Sequence, residues 1–270
     1  MLILAVFIMN NLEYWQNRQA KLLHSIYNKQ EKSTLVFLRE YKTALKDLQS
    51  VVDELFRKYS EKGELSMTEI YKYNRYNNLI NNIKDIISTL GKKEKSYVQK
   101  SLLDSYVEAA LKTGDLITKF NDKEIVTVDF SIVPKAQIER SINYPWSGAD
   151  YSSRIWDNKT KLVKNLKETV TQGIVQGKSN SQMANELKDV MGKGAYDCRR
   201  LVRTETMHIV NSATYDTYKR AGMEKVELIV AEDERLCDEC SEAAGVYDID
   251  KAPILPIHAN CRCTIVPYFE

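Results

Sequence analysis

Four of the chain's five cysteines and one of its three histidines lie close together near the C-terminus. They are spaced Cys237-x2-Cys240-x17-His258-x2-Cys261-x-Cys263. A Cys-x2-Cys pair presents two thiolates on one tight turn, and a second group further along the chain can supply the other half of a tetrahedron. The spacing therefore predicts that four of these five residues hold one structural zinc ion, with no coordination position left open for water.

Two other states of these cysteines stay open on sequence grounds. The four clustered cysteines can pair as two disulfides in an oxidising compartment, or they can remain free thiols in a protein core. Cys261 and Cys263 share a face if the chain is extended there, so the sequence leaves open which of the two is a ligand. Cys198 stands alone in a helical segment and is predicted to be a small buried apolar residue.

The overall composition and charge are those of an ordinary globular protein. The 270 residues are 43% hydrophobic and 28% charged, which suits one large domain or two modest ones. The formal net charge is only +2, so composition gives no reason to expect nucleic acid or an anionic membrane as the main partner. The apolar residues 1–9 are too short to span a bilayer and lack signal-peptide features. We interpret residues 1–8 as a start-site artefact and expect folding in a reducing cytoplasm, which favours metal over disulfides.

Helical periodicity dominates the N-terminal half of the chain. Residues 12–60 are predicted to form helix, with a heptad seam along the second part that consists of Leu38, Tyr41, Leu45, Leu48, Val52, Leu55 and Tyr59. Ser66 and Glu69 form a capping box that is expected to open a second helix, and Gly91 is expected to end it. A third helix is predicted over residues 96–113. The short connection between the first two helices predicts a helical hairpin or bundle.

The pattern changes in the middle of the chain. Residues 125–130 suit a short strand, and prolines and glycines mark turns after it. We therefore divide the chain into a helical N-terminal region (1–125), a linker (126–144) and a C-terminal domain (145–270).

The C-terminal domain is predicted to combine helices with a small sheet. Its last long helix is expected to stop at Gly222, in the left-handed position that favours glycine. Strands predicted over 226–230 and 264–266 lie on either side of the cysteine cluster. The predicted fold class is α+β and predominantly helical, with an N-terminal helical hairpin or bundle and C-terminal helices joined to a small antiparallel sheet that the Cys/His cluster closes.

No convincing catalytic group is found in the sequence. A cysteine–histidine pair would have to use Cys198 and His208, which are too far apart along one predicted helix to hydrogen-bond. Phosphate-binding loops, His-Glu-x2-His and dinucleotide-binding glycine patterns are missing from the sequence. Arg203 is expected to fork onto a carboxylate or onto helix-end carbonyls, and Glu205 with His208 is interpreted as a helix-surface pair. The chain is therefore predicted not to be an enzyme, with no catalytic or cofactor-binding residues.

Several separate motifs occur in a fixed order through the C-terminal domain. They are Pro145–Trp156, Asn158, Arg203–Glu205, Asn211, Tyr215, Asp233–Cys240, Gly245, His258–Cys263 and Pro267. Together these segments resemble the phage minor head protein family typified by protein F of phage Mu, also called the phage head morphogenesis or MuF family. The family often has His-Pro where this chain has His258-Ala259, a difference that removes no candidate ligand.

The resemblance implies a minor head, or minor capsid, protein that acts in procapsid and head assembly at the portal, and also in DNA packaging or ejection. It implies portal, major capsid or scaffold proteins as partners, with weak non-specific DNA binding. It further implies a phage or prophage gene, synthesis in the host cytoplasm and a final place inside the head. The alternative function from the residues themselves is a metal-stabilised nucleic-acid-binding module.

Overall fold

The computed structural model describes residues 2–120, 128–230 and 237–269, with the side chains of 15–119 in the first of these ranges. The described residues form, in chain order, α1 (Leu2–Phe37), α2 (Arg39–Tyr59), α3 (Met67–Tyr71), a 3-10 turn (Lys72–Asn74), α4 (Arg75–Phe120), α5 (Lys135–Asn143), α6 (Tyr151–Val175), α7 (Asn180–Arg220), β1 (Lys225–Ile229), α8 (Asp238–Glu242), β2 (Gly245–Asp248) and β3 (Thr264–Pro267). This confirms the predicted fold class, because long helices dominate and the three strands form one antiparallel sheet.

Packing divides the chain into two compact units that are interleaved along the sequence. Unit 1 consists of Met1–Ser33, Gln99–Tyr151 and Arg200–Glu270, and unit 2 consists of Thr34–Val98 and Ser152–Arg199. Helices α1, α4 and α7 therefore each contribute residues to both units. The domain boundaries proposed from the sequence stay predictions.

The helices of unit 2 bury one face each. Residues 12–60 are helical as predicted, although Leu38 interrupts the helix between α1 and α2. The buried residues of α2 are Tyr41, Ala44, Leu48, Val52 and Phe56. Their spacing of three or four residues gives an apolar stripe on the face that packs inward. The predicted seam shares only part of this stripe, since Ala44 and Phe56 are buried where Leu45 and Leu55 were expected.

The Ser66 cap is confirmed, because the Glu69 amide donates to Ser66 Oγ at 3.2 Å, but the helix it opens, α3, is only five residues long and the long helix begins at Arg75. The prediction that Gly91 ends a helix is wrong. Gly91 lies inside α4, which also includes the segment predicted as a third helix. An alanine Cβ at this position would lie 2.8 Å from Cζ3 of Trp156, so the missing side chain makes room for the indole ring. Gly91 thus serves close helix packing and not a turn.

Unit 1 contains the sheet, in the order β2-β1-β3. Both predicted strands are confirmed, and Val226 of β1 pairs with Tyr247 on one side and Pro267 on the other. The left-handed stop is confirmed too, since Gly222 has φ +76° and α7 ends two residues before it. In the strand predicted over 125–130, residues 125–127 lie outside the described residues and 128–130 are not strand.

The core of unit 1 lies between the sheet and the helices. Its fully buried residues include Trp15 and Tyr218, whose rings meet edge to face at 6.4 Å between centroids. The same core includes Cys240, Cys261 and Cys263. The predicted cluster is therefore built into the hydrophobic core and is not a separate surface knot. Within the described residues, no helix has an apolar stretch long enough to cross a membrane.

Candidate metal centre

All five predicted ligands lie in unit 1, in the segment that joins β1 to β3. Cys237 caps the N-terminus of α8, and its sulfur accepts a hydrogen bond from the Cys240 amide at 3.4 Å. His258 and Cys261 lie on a turn after β2, in which the Cys261 amide donates to the His258 carbonyl at 3.1 Å. Cys263 directly precedes β3. The fold thus brings together residues that are up to 26 positions apart in the chain.

The His258 ring is oriented towards two of the sulfur atoms. Its Nε2 lies 3.2 Å from Sγ of Cys237 and 3.1 Å from Sγ of Cys240. Its Nδ1 lies 2.9 Å from the Ala259 carbonyl oxygen, which can only accept a hydrogen bond. Nδ1 therefore carries the proton and Nε2 has its lone pair free for a metal ion, the arrangement usual for a histidine ligand.

The remaining sulfur atoms lie deeper in the core. Cys240 and Cys261 have their Sγ atoms 3.7 Å apart, well beyond the ~2.05 Å of a disulfide bond. The donor atoms fall into two groups that share Cys240, one with Cys237 and His258 and the other with Cys261 and Cys263. Within each group all donor atoms lie within 4.8 Å of one another. Thiolates and imidazole are the donors that zinc prefers, so this cluster is able to hold a metal ion.

Hydrogen bonds favour the thiolate form at two of the sulfur atoms. The amide of Cys240 lowers the pKa of the Cys237 thiol, and the side chain of Cys263 lowers the pKa of Cys261 to about 5. Burial has the opposite effect on Cys240, whose pKa is raised to about 12. A positive metal ion would offset that burial, because a coordinated thiol gives up its proton.

Helix α7 holds the cluster segment in place through side chains that the family motifs contain. The Asn211 amide donates to the Cys263 carbonyl at 3.2 Å and accepts from the Thr264 hydroxyl at 2.9 Å. Tyr215 donates its hydroxyl to the Pro253 carbonyl at 3.1 Å. Asn211 thereby fixes the start of β3. The Asn211 and Tyr215 motif on α7 and the Cys/His motif before β3 are therefore packed against each other.

Sequence reasoning missed a second group on α7. Trp146 donates its indole N–H to Glu205 at 3.1 Å, and its ring stacks on His208 with centroids 4.9 Å apart. His208 Nδ1 also donates to the Leu255 carbonyl at 2.9 Å. The interpretation of Glu205 and His208 as a helix-surface pair is wrong, because both are buried. The apolar residues Val202, Met207, Ile209 and Val210 lie on one side of the helix and Glu205 and His208 on the other, so the periodicity of these four gave no signal that the polar pair is buried.

Two other sequence interpretations are confirmed. Arg203 forks onto Glu31, with Nε–Oε2 and Nη2–Oε1 distances of 2.7 and 2.9 Å. Cys198 lies in unit 2 and is completely buried, and burial raises the pKa of its thiol far above the usual range. Arg203 thus forms an ion pair and Cys198 is a small buried residue, as the sequence indicated.

Comparison with known proteins gives the chain its relatives. Residues 164–266 match the family described as Phage Mu protein F like protein. The minor head protein GP7 of Bacillus phage SPP1 is 24% identical over 251 residues, which cover 84% of this chain and 79% of that protein. No solved structure matches the chain. The resemblance inferred from the motifs is therefore confirmed: this chain is similar to phage minor head proteins, and residues 164–266 match the Phage Mu protein F like family.

Proposed function

We propose that this chain is a minor head protein that acts in phage head assembly and catalyses no reaction. The observation that carries the proposal is the extent of the similarity to the SPP1 minor head protein. It covers 84% of the chain, whereas the family domain covers residues 164–266 alone. Most of the helical region before residue 164 is thus included in the likeness, and a role shared by whole proteins explains this better than a domain reused in another setting.

The surroundings of the motif residues support a structural role. Asn211, Tyr215 and Glu205 use their polar atoms to hold the cluster segment and the Trp146 turn. A catalytic side chain needs its reactive atom directed at a substrate, whereas these groups are directed at the protein itself.

The proposed partner is the portal, with the major capsid or scaffold protein as further contacts. The protein would be made in the host cytoplasm, enter the procapsid during assembly and remain inside the head. From there it can take part in DNA packaging or ejection. The nearly balanced charge suits protein partners, since a dedicated nucleic-acid surface concentrates Lys and Arg.

The test is incorporation into heads. The head genes of the same phage are expressed with and without this chain, and purified procapsids are analysed by mass spectrometry. A few copies per head, retained after a high-salt wash and reduced when the portal gene is deleted, are the expected result. Absence from both the heads and the portal fraction would disprove the proposal.

A nucleic-acid-binding module is the alternative, and salt separates the two functions. Weak contacts from a few lysines are lost steeply as salt rises, because they depend on the release of counterions. We expect retention on DNA at low salt to disappear near physiological salt. Specific binding that persists there would favour the alternative.

We also propose that the Cys/His cluster contributes to this function by holding one structural zinc ion. The segment between β2 and β3 has no regular secondary structure in its described residues, so crosslinking by an ion stabilises it more than its own backbone hydrogen bonds do. Zinc analysis of protein purified without affinity metals tests this, with one ion per chain expected.

A further inference from the structure

The two groups of donor atoms leave open which four of the five residues hold the ion, because no four of these donor atoms all lie within 4.8 Å of one another. Cys240 belongs to both groups and therefore lies at the centre of the cluster. We propose that Cys237, Cys240, His258 and Cys261 coordinate a single zinc ion and that Cys263 lies outside its coordination shell. This inference rests on the zinc site proposed above and adds the ligand set, which the sequence left open.

Two turns of the cluster segment each present two of the proposed ligands. Cys237 and Cys240 are three residues apart on the turn that opens α8, where the Ser241 amide donates to the Cys237 carbonyl at 3.0 Å. His258 and Cys261 have the same separation, and here the Cys261 amide donates to the His258 carbonyl. Two ligands from each turn complete a tetrahedron, which is how closed zinc sites are built. Cys263 lies beyond the second turn.

The distances between the ligand atoms can be compared with those of a tetrahedral zinc site. Zinc–sulfur bonds of ~2.3 Å in a tetrahedron place two sulfur ligands ~3.8 Å apart. The Cys240 and Cys261 sulfur atoms are 3.7 Å apart, which fits. A sulfur and a nitrogen ligand would be ~3.5 Å apart by the same geometry. The His258 contacts of 3.1 and 3.2 Å are slightly shorter, and the Cys261 sulfur lies more than 4.8 Å from the donor atom of Cys237 or of His258, so these side chains must shift to close around the ion.

Cys263 supports the neighbouring ligand Cys261 through its backbone amide. Its amide donates to Sγ of Cys261 at 3.5 Å, just as the Cys240 amide donates to Sγ of Cys237 at 3.4 Å. Amide hydrogen bonds of this kind stabilise the charged form of a thiolate. The Cys263 carbonyl is held by Asn211, and the next residue begins β3. The backbone of Cys263 is thus fixed by α7 and β3, and its amide hydrogen-bonds to the sulfur of the neighbouring ligand, Cys261.

Two ions sharing Cys240 would be a different solution, and burial argues against it. Each ion would have three protein donors and would need a further ligand to complete four positions. The group around Cys261 and Cys263 lies in the hydrophobic core, with each sulfur-bearing residue no more than 3% exposed. Water would have to enter that core to complete the second ion. One ion with four protein ligands avoids this cost.

Zinc content of full-length single variants tests the assignment. Wild type and Cys263→Ser are expected to carry one zinc per chain. Cys261→Ser is expected to lose its zinc, because the zinc affinity falls by more than ~100-fold, a larger decrease than the loss of an outer contact causes. The opposite result for the two variants would overturn the ligand set, and so would two zinc ions per wild-type chain. Wild type without zinc would refute the zinc site itself, while incorporation of the wild-type chain into heads is a separate measurement that tests the proposed function.

A measurement on the unmodified protein covers the case in which Cys261→Ser does not fold. Wild type is loaded with a spin-½ cadmium isotope, and proton–cadmium couplings are recorded by NMR. Couplings are expected to the Cβ protons of Cys237, Cys240 and Cys261 and to the His258 ring. A coupling to the Cβ protons of Cys263, without one to Cys261, would refute the proposal.

Discussion

Lys159 of unit 2 is a buried charged residue that hydrogen-bonds to two other buried side chains, Glu94 and Tyr41. Its Nζ lies 2.6 Å from Glu94 Oε2, and the two side chains are 4% and 0% exposed. The Tyr41 hydroxyl donates to the same carboxylate at 2.7 Å and accepts from Lys159 at 2.6 Å. Removing one partner of such a pair leaves a charge in the core with no counterion.

Lys159→Met removes the positive charge and retains the length of the side chain. We expect a loss of about 3–5 kcal/mol in the free energy of unfolding, as for other buried pairs that lose one partner. Tyr41→Phe removes both hydrogen bonds that the hydroxyl makes to the charged groups and is expected to cost at least about 1.5–3 kcal/mol. Adding Glu94→Gln to Lys159→Met removes the unpaired charge, so the double variant should lose less than the sum of the two single losses.

Urea unfolding followed by circular dichroism measures these differences, and coincidence with tryptophan fluorescence checks whether the transition is two-state. The control is Lys164→Met on the same helix, because the Lys164–Glu168 pair is 4.0 Å apart and well exposed. That change should stay within about 0.5 kcal/mol. If Lys159→Met is equally mild, or if the losses of the double variant simply add, the pair is not the stabilising unit described here.

Three further outcomes are expected. Gly91→Ala should destabilise the protein by about 1–3 kcal/mol because its Cβ would meet Trp156. Gly192→Ala, with open space around it in α7, should instead be neutral or stabilising by up to about 1 kcal/mol. Equal effects of the two changes in urea unfolding would contradict this packing. Arg203→Lys should lower the melting temperature, since lysine cannot make both bonds to Glu31, and an unchanged value would show that the fork contributes nothing. Chelation of the zinc should lower the melting temperature and speed protease cleavage between β2 and β3, and identical digestion with and without chelator would argue against a structural ion.

Local patterns in the sequence predicted what depends on neighbours along the chain. The Ser66 cap, the Gly222 stop and the two strands around the cluster follow from short-range geometry, and the structure has all of them. Gly91 was misjudged because a glycine in a helix serves either a turn or a close approach, and the approaching Trp156 comes from a distant helix. The extra length of α4 follows from the same error.

The burial of charged residues was harder to predict. Lys159 looks like any surface lysine in the sequence, since lysine is almost never buried without a partner and the partner here is 65 positions away. In the cluster, residue types and spacing indicated the chemistry. The choice between Cys261 and Cys263 depends on the amide hydrogen bonds and on the anchoring of β3, which are visible only once the chain is folded.

The interleaving of the two units limits how the chain can be taken apart. Unit 1 is made of three chain segments and unit 2 of two, so no single cut separates them. The family match over 164–266 also contributes residues to both. A protease nick between residues 34 and 199 would leave both units with pieces on either side of the break, and a nick after residue 199 would divide unit 1 alone, so a fragment released from either end always takes part of unit 1 with it. Truncation experiments on this protein would therefore report on the loss of folding before they report on the loss of a binding surface.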